Sequence, residues 1–424
     1  MFIQHLSRYL IVATASCIVI PHVNASAYRF VNISKNAGVG RSIFLSAMNN
    51  SGTVAFVTSG TEEESFLGMT MYSGRGGPLT RLYKGTTEGD HFTLWVPDIN
   101  DHGVVAFMSH IDAPAKQEPF ASAIFKASAS GVTTVARYPN ASFFEHASIN
   151  NKGRVASVVT WDSGPSSVVT FSPKRTIATF ANPENHFGPP DINDAGVVVF
   201  PVSIGLGAEE RIVTGVGGKL TIKATTKGTN FAGFFSSATE PRINNKGAIA
   251  FHADLKSGGQ GVFLIDDSGL RLVADTSGPF HILTAPSINN RGRVAFSALL
   301  DDRNSGVFMG PDPVADRVIG PGDVLDGSIV TSAVISSRSL NDAGQIAFHA
   351  ALADGREGIY RADPVRFPSV AVPEPSSVAL LFIACIAVPT LSWRSKARET
   401  KKAVTPCEVT AFHVGPTGFE PATF

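Results

Sequence analysis

The feature that most constrains this chain is a short pattern that returns until it is present seven times. One copy reads Pro286-Ser287-Ile288-Asn289-Asn290-Arg291-Gly292-Arg293-Val294-Ala295-Phe296. Its core is an apolar residue, Asn, Asn or Asp, any residue, Gly, any residue, Val or Ile, a small residue and usually Phe. The other copies occupy residues 48–56, 99–107, 149–157, 192–200, 243–251 and 340–348. Their glycines, Gly52, Gly103, Gly153, Gly196, Gly247, Gly292 and Gly344, are spaced by 51, 50, 43, 51, 45 and 52 residues. A period in that range belongs to stacked or radial repeat folds, and a four-stranded propeller blade fits it.

The local chemistry of one copy explains its composition. Ile288 and Asn289 end one extended segment, and Val294-Ala295-Phe296 begins another, with Val294 and Phe296 on one face. Between them lies a tight turn. Asn and Asp side chains accept hydrogen bonds from backbone amides two residues on, and Gly292 adopts left-handed dihedrals without a Cβ clash. Asp98-Ile99-Asn100-Asp101 and Asp191-Ile192-Asn193-Asp194 superficially resemble calcium loops, but they lack the alternating spacing that sets successive oxygens around one ion. Copies such as residues 286–292 and 147–153 carry no acid at all. The reading is a hairpin turn in every copy, with no metal and no cofactor.

Four strand-like runs fill each repeat. In the sixth they are residues 281–284, 294–298, 306–309 and 316–319, separated by Gly, Asp, Ser and Pro as turns require. No segment inside the repeats has a helical period, so the repeat region is all-β. After the seventh motif come 345–350 and 358–361, but the fourth strand is missing before Pro364. Residues 28–33, Tyr-Arg-Phe-Val-Asn-Ile, precede the first repeat and resemble fourth strands elsewhere. The expectation is a seven-bladed β-propeller closed by this N-terminal strand, which pairs with 358–361 and removes an unpaired edge.

The termini read differently. Residues 1–27 have the form of a secretory signal peptide, with Arg8, an apolar run over 9–20 and the small-residue site Ala25-Ser26-Ala27. The three cysteines are Cys17, Cys385 and Cys407, so the exported domain has no disulfide and must be held by its core. Net charge is zero. Arg8 contributes +1 and residues 376–424 contribute five bases against three acids, which leaves 28–375 at about −3. That balance excludes nucleic-acid binding by a clustered positive face.

The tandem motif resembles the NxxGxxAF-repeat proteins of bacteria over most of residues 46–361, with Ser157 in place of Phe and Val199 in place of Ala. Further on, Val372, Pro373, Glu374 and Pro375 precede the apolar 378–393 and the basic Arg394, Lys396, Arg398, Lys401 and Lys402. Behind a signal peptide this combination resembles the PEP-CTERM sorting signal of exosortase substrates in Gram-negative bacteria. The resemblance implies a transient inner-membrane anchor through a C-terminal hydrophobic helix, cleavage by an exosortase-type enzyme, and release to the cell surface or beyond. The map is then a signal peptide over 1–27, the propeller over 28–363, a linker over 364–377, the hydrophobic segment and basic stop over 378–402, and a disordered tail over 403–424.

No Gly-x-Ser-x-Gly elbow, HExxH helix or phosphate loop is present, so no catalytic residue is assigned. His252 and His349 follow Phe251 and Phe348 at equivalent repeat positions, which points to structural roles. Phe92, Phe143, Phe187, Phe231 and Phe280 lie in the less regular segments joining blades and form a candidate binding rim, since aromatic faces stack on sugars. A Phe at a repeated position also packs between blades. Two functions stand side by side. One is a surface or matrix protein whose propeller binds exopolysaccharide or surface proteins as a scaffold. The other is a secreted hydrolase or lyase acting on polysaccharide, with paired acids at the channel.

Overall fold

The computed structural model describes residues 28–37, 42–58, 69–85, 97–111, 121–138, 143–160, 165–180, 182, 184–235, 240–284, 286–301, 304–336 and 338–365. Residues 1–27 and 366–424, and with them both terminal sorting segments, lie outside the described residues. Among the described residues every regular element is a strand, and the strands form seven antiparallel sheets. The first blade runs outward as Ser42–Met48, Val54–Thr58, Thr70–Gly74 and Thr80–Lys84. The sixth follows the expected order with Phe280–Leu283, Val294–Leu300, Ser305–Phe308 and Arg317–Ile319.

One departure from four simple strands concerns the inner edge. In blades 4, 5 and 6 the innermost strand is broken into two pieces, such as Phe280–Leu283 and Ser287–Ile288, both hydrogen-bonded to Val294–Leu300. Pro190, Pro241 and Pro286 stand immediately before the second pieces, where a residue without an N–H cannot continue the ladder. Blades 1 and 3 have Ser46 and Ala147 there instead. Their inner strands, Ser42–Met48 and Phe143–Ile149, run through with only a register shift.

The cores lie between blades, and the motif explains them. In the second strand of each blade, Val or Ile and Phe face the preceding blade, while the small residue between them faces the next. Val294 and Phe296 thus pack on Ala250 of the fifth blade, and Ala295 receives Ile346 and Phe348 of the seventh. The same large-into-small arrangement recurs around the ring, including the closing interface of Val54 and Phe56 on Ala347. In the third blade Ser157 leaves the Phe slot small, and Phe171 joins the cluster between blades 2 and 3.

The ring closes through Tyr28–Asn32, which forms the outer strand of the seventh blade against Glu357–Pro364. The register differs from the expected pairing with 358–361: Tyr28 lies opposite Pro364 and Asn32 opposite Tyr360. The amides of Ile33 and Ser34 then both donate to the Ile359 carbonyl. This longer pairing arises because the third strand continues to Pro364 rather than ending at Arg361. Tyr28 and Phe30 pack on the sixth and seventh blades, with Phe30 edge-on to Phe348 at 5.9 Å, while Ile33 is buried against the first blade.

Candidate functional site: the axial channel

The seven motif turns converge on the axis. Each is a three-residue hairpin loop in which the Asn amide donates to the carbonyl four residues on, and the Gly amide donates back to the Asn carbonyl. That loop ends in a left-handed residue, and the seven glycines have φ between 73° and 85°. The Asn side chain completes the turn, its Oδ1 accepting from the amide four residues on in every copy.

The same Asn also joins neighbouring blades. Its Nδ2 donates to the main-chain carbonyl of the next blade's Asn, from Asn49 through Asn100, Asn150, Asn193, Asn244, Asn289 and Asn341 back to Asn49, at 2.9–3.3 Å. The primary amide supplies an acceptor for the turn and a donor for the belt at once. A second belt lies at the mouth. There the side-chain oxygen of the following Asn or Asp accepts from the backbone amide one blade back, at 2.7–2.9 Å. Its three acids, Asp101, Asp194 and Asp342, are on blades 2, 4 and 7 and are never adjacent. Asn151 therefore donates to both Asp101 and Asp194, and amide dipoles separate the carboxylates.

Beneath the belts, two residues before the belt Asn, stand Ala47, Asp98, Ser148, Asp191, Arg242, Ser287 and Ser339. Arg338 reaches across the axis into this layer from the seventh blade. Its Nε lies 2.8 Å from Asp98 Oδ1, its Nη2 contacts Asp191 Oδ1, and its Nη1 donates to the Ile149 carbonyl at 3.3 Å. Arg242 bridges Asp191 at 3.4 Å and Glu240 at 2.9 Å, and Glu240 meets His146 Nε2 at 3.1 Å. His146 holds this position with a φ of 50°. Asp191, Arg242 and Arg338 floor a cavity of about 100 Å³ whose walls are the two belts.

Burial and charge act in opposition here. Burial pushes the Asp98 carboxyl up, against the pull of Arg338 and Arg242. Burial would raise Asp191 too, but Arg338 and Arg242, with the Ile243 amide and Ser148, hold it below the usual range. Burial lowers His146 despite the attraction of Glu240, so the imidazole is neutral. Among the described residues no group of three or more His, Cys, Asp or Glu side chains could hold a metal ion.

The structure corrects the aromatic rim at three of its five residues. Phe187, Phe231 and Phe280 are buried, each edge-on to the motif Phe of its own blade at 5.5, 5.9 and 5.7 Å. The segments that carry them return to the sheet as inner-strand pieces, so the rings point between blades instead of into solvent. Phe92 and the Phe143 side chain, like Val372, Pro373, Glu374 and Pro375, lie outside what is described. His252 and His349 are 1% exposed, and burial lowers both. Arg338 stands in the column that holds Pro190, Pro241 and Pro286 in other blades, and a single departure in a column without charge gives no signal of its reach across the axis. The column containing Asp98, Asp191 and Arg242 was a readable signal, since charges there interrupt small residues.

A model of a family of unknown function, DUF7453, matches residues 174–310 and 324–379. No curated protein sequence matches the chain. Among solved structures, prolyl oligopeptidase B from Galerina marginata is similar at 9% identity and a TM-score of 0.51, over 77% of this chain and 49% of that one. The chain thus spans about half the length of that enzyme. The β-propeller domain of the Trilobed protease from Pyrococcus furiosus matches at 11% identity and a TM-score of 0.49, over 77% and 96% of the two chains. An oligogalacturonate lyase from Vibrio parahaemolyticus matches at 11% identity and a TM-score of 0.46, over 79% and 97%. At such identities the likeness is one of fold.

Proposed function

We propose that this chain is an exported, exosortase-sorted surface or extracellular-matrix protein whose propeller serves as a scaffold that binds exopolysaccharide. The observation that carries the reading is the state of the axis. Glycosidic cleavage needs two carboxyl groups free to flank the bond. Asp98 and Asp191 are instead committed to Arg338, and the space above them is about 100 Å³. Ligand pockets begin near ~300 Å³. The apolar run 378–393 and the five bases after it, together with the signal-like residues 1–27, support the address.

The hydrolase or lyase reading draws on one feature, the His146–Glu240 pair near the axis. The two readings separate when the exported protein is incubated with a panel of acidic and neutral polysaccharides. Retention on the polymer with no new reducing ends and no unsaturated products is the expected result. Chain scission that disappears in Glu240→Gln would overturn it. For the address, mass spectrometry of extracellular material should find an N-terminus at Tyr28 and no peptides from 395–402.

A further inference from the structure

We infer that the axis holds one buried proton that its ion pairs do not supply, carried by the Asp98 carboxyl and donated to Ser148 Oγ. The first ground is a count of hydrogens. Ser148 Oγ lies 3.0 Å from Asp98 Oδ2 and 2.7 Å from Asp191 Oδ1, both hydrogen-bond distances to carboxyl oxygens. A serine hydroxyl has a single proton, so it can make a linear hydrogen bond to one of them only. The shorter contact takes it, and Arg338 Nη2 approaches the same Oγ at 3.4 Å from the donor side. The Asp98 contact then needs its own proton. The Ile149 amide, 2.8 Å from Asp98 Oδ2, is compatible with this because a protonated oxygen keeps a lone pair to accept it.

The second ground is a count of charges. Asp98, Arg338, Asp191, Arg242 and Glu240 form a chain of three acids and two guanidinium groups, ending at a neutral His146. Among the described residues the chain thus has one more acid than base, in a layer where Asp98 and Asp191 are 5% and 3% exposed. An unmatched buried charge is resolved by taking up a proton. Asp194 also faces Arg338, and adds to the negative side of the balance. The opposite displacements of the two aspartates, Asp98 upward and Asp191 downward, place the proton on Asp98. It thereby completes a pin that ties blades 2, 3, 4, 5 and 7 across the axis, and alkaline titration of Asp98 would loosen that pin.

Infrared spectroscopy of the full-chain protein at neutral pH tests this directly. The expected result is a protonated-carboxyl stretch that shifts when aspartate carries a ¹³C side-chain carboxyl, is lost in Asp98→Asn and persists in Asp194→Asn. If Asp98→Asn does not fold, Ser148→Ala must shift the band, because it removes the acceptor of the proton. A wild-type spectrum without a protonated aspartate overturns the inference. So does an aspartate band that survives in folded Asp98→Asn, or one that Ser148→Ala leaves unmoved when Asp98→Asn cannot fold.

Discussion

Asn244 shows what one belt residue does. Its Oδ1 accepts from the amides of Lys246 and Ala248, and its Nδ2 donates to the Asn289 carbonyl at 3.0 Å. Asn244→Asp keeps the shape and the turn but sets a carboxylate oxygen against that buried carbonyl. We expect a loss of about 2 kcal/mol or more, read as a lower midpoint in urea at unchanged slope. A neutral midpoint would mean that the belt does not bind the blades together. The buried histidines govern acid behaviour. His146, His252 and His349 all titrate below the ordinary 6.5 because burial disfavours the imidazolium. The unfolded chain therefore takes up more protons as pH falls. Their stabilisation is complete above about pH 6.5 and declines below it, by at most about 1.4 kcal/mol per pH unit for each. Asp98, displaced upward, acts oppositely and is a single group. Melting temperature should fall from pH 7 to pH 5, and His349→Gln should flatten that slope; an identical slope would contradict the assignment.

At the scale of the element, the motif's last three residues form a socket and a plug. Phe296→Ala should cost about 3–5 kcal/mol, since Phe296 is fully buried against the fifth blade. Ala295→Leu overfills the socket for Phe348 and should cost about 1–3 kcal/mol. Equilibrium unfolding checks both, and a tolerated leucine would show that the small position is not a socket. Alternation and turn chemistry made the blade legible in the sequence, with the strands of the sixth within one or two residues of the expected runs. The broken inner strands were less so, because the effect of Pro190 or Pro286 depends on which neighbour the backbone would have paired with. A Phe on a segment rich in Gly and Pro reads as a loop residue, and only the return of that segment to the sheet buries Phe187. The hairpin of Val324–Leu325 and Ser328–Val334, turned by Asp326 and Gly327 with φ of 52° and 80°, adds a strand to the four-run pattern in the seventh blade.

For the whole molecule, the sequence carried the blade count and the closing strand, because both follow from counting repeats and finding one strand short. The axial ion pairs were out of reach. Arg338 and Asp98 are 240 positions apart, and only ring closure brings them together. Closure is thus the premise of the interior, the belts and the axial proton alike. Tyr28–Asn32 supplies the outer edge of the seventh blade, and Ile33 seals it to the first. The most direct measurement compares thermal unfolding and oligomeric state of residues 28–363 with those of 34–363. Loss of the Phe30 and Ile33 contacts alone amounts to several kcal/mol, against a total stability of about 5–15 kcal/mol. The account predicts that the shorter protein melts far lower or associates through the bared edge of Glu357–Pro364. Equal melting temperatures and a clean monomer for 34–363 would contradict it.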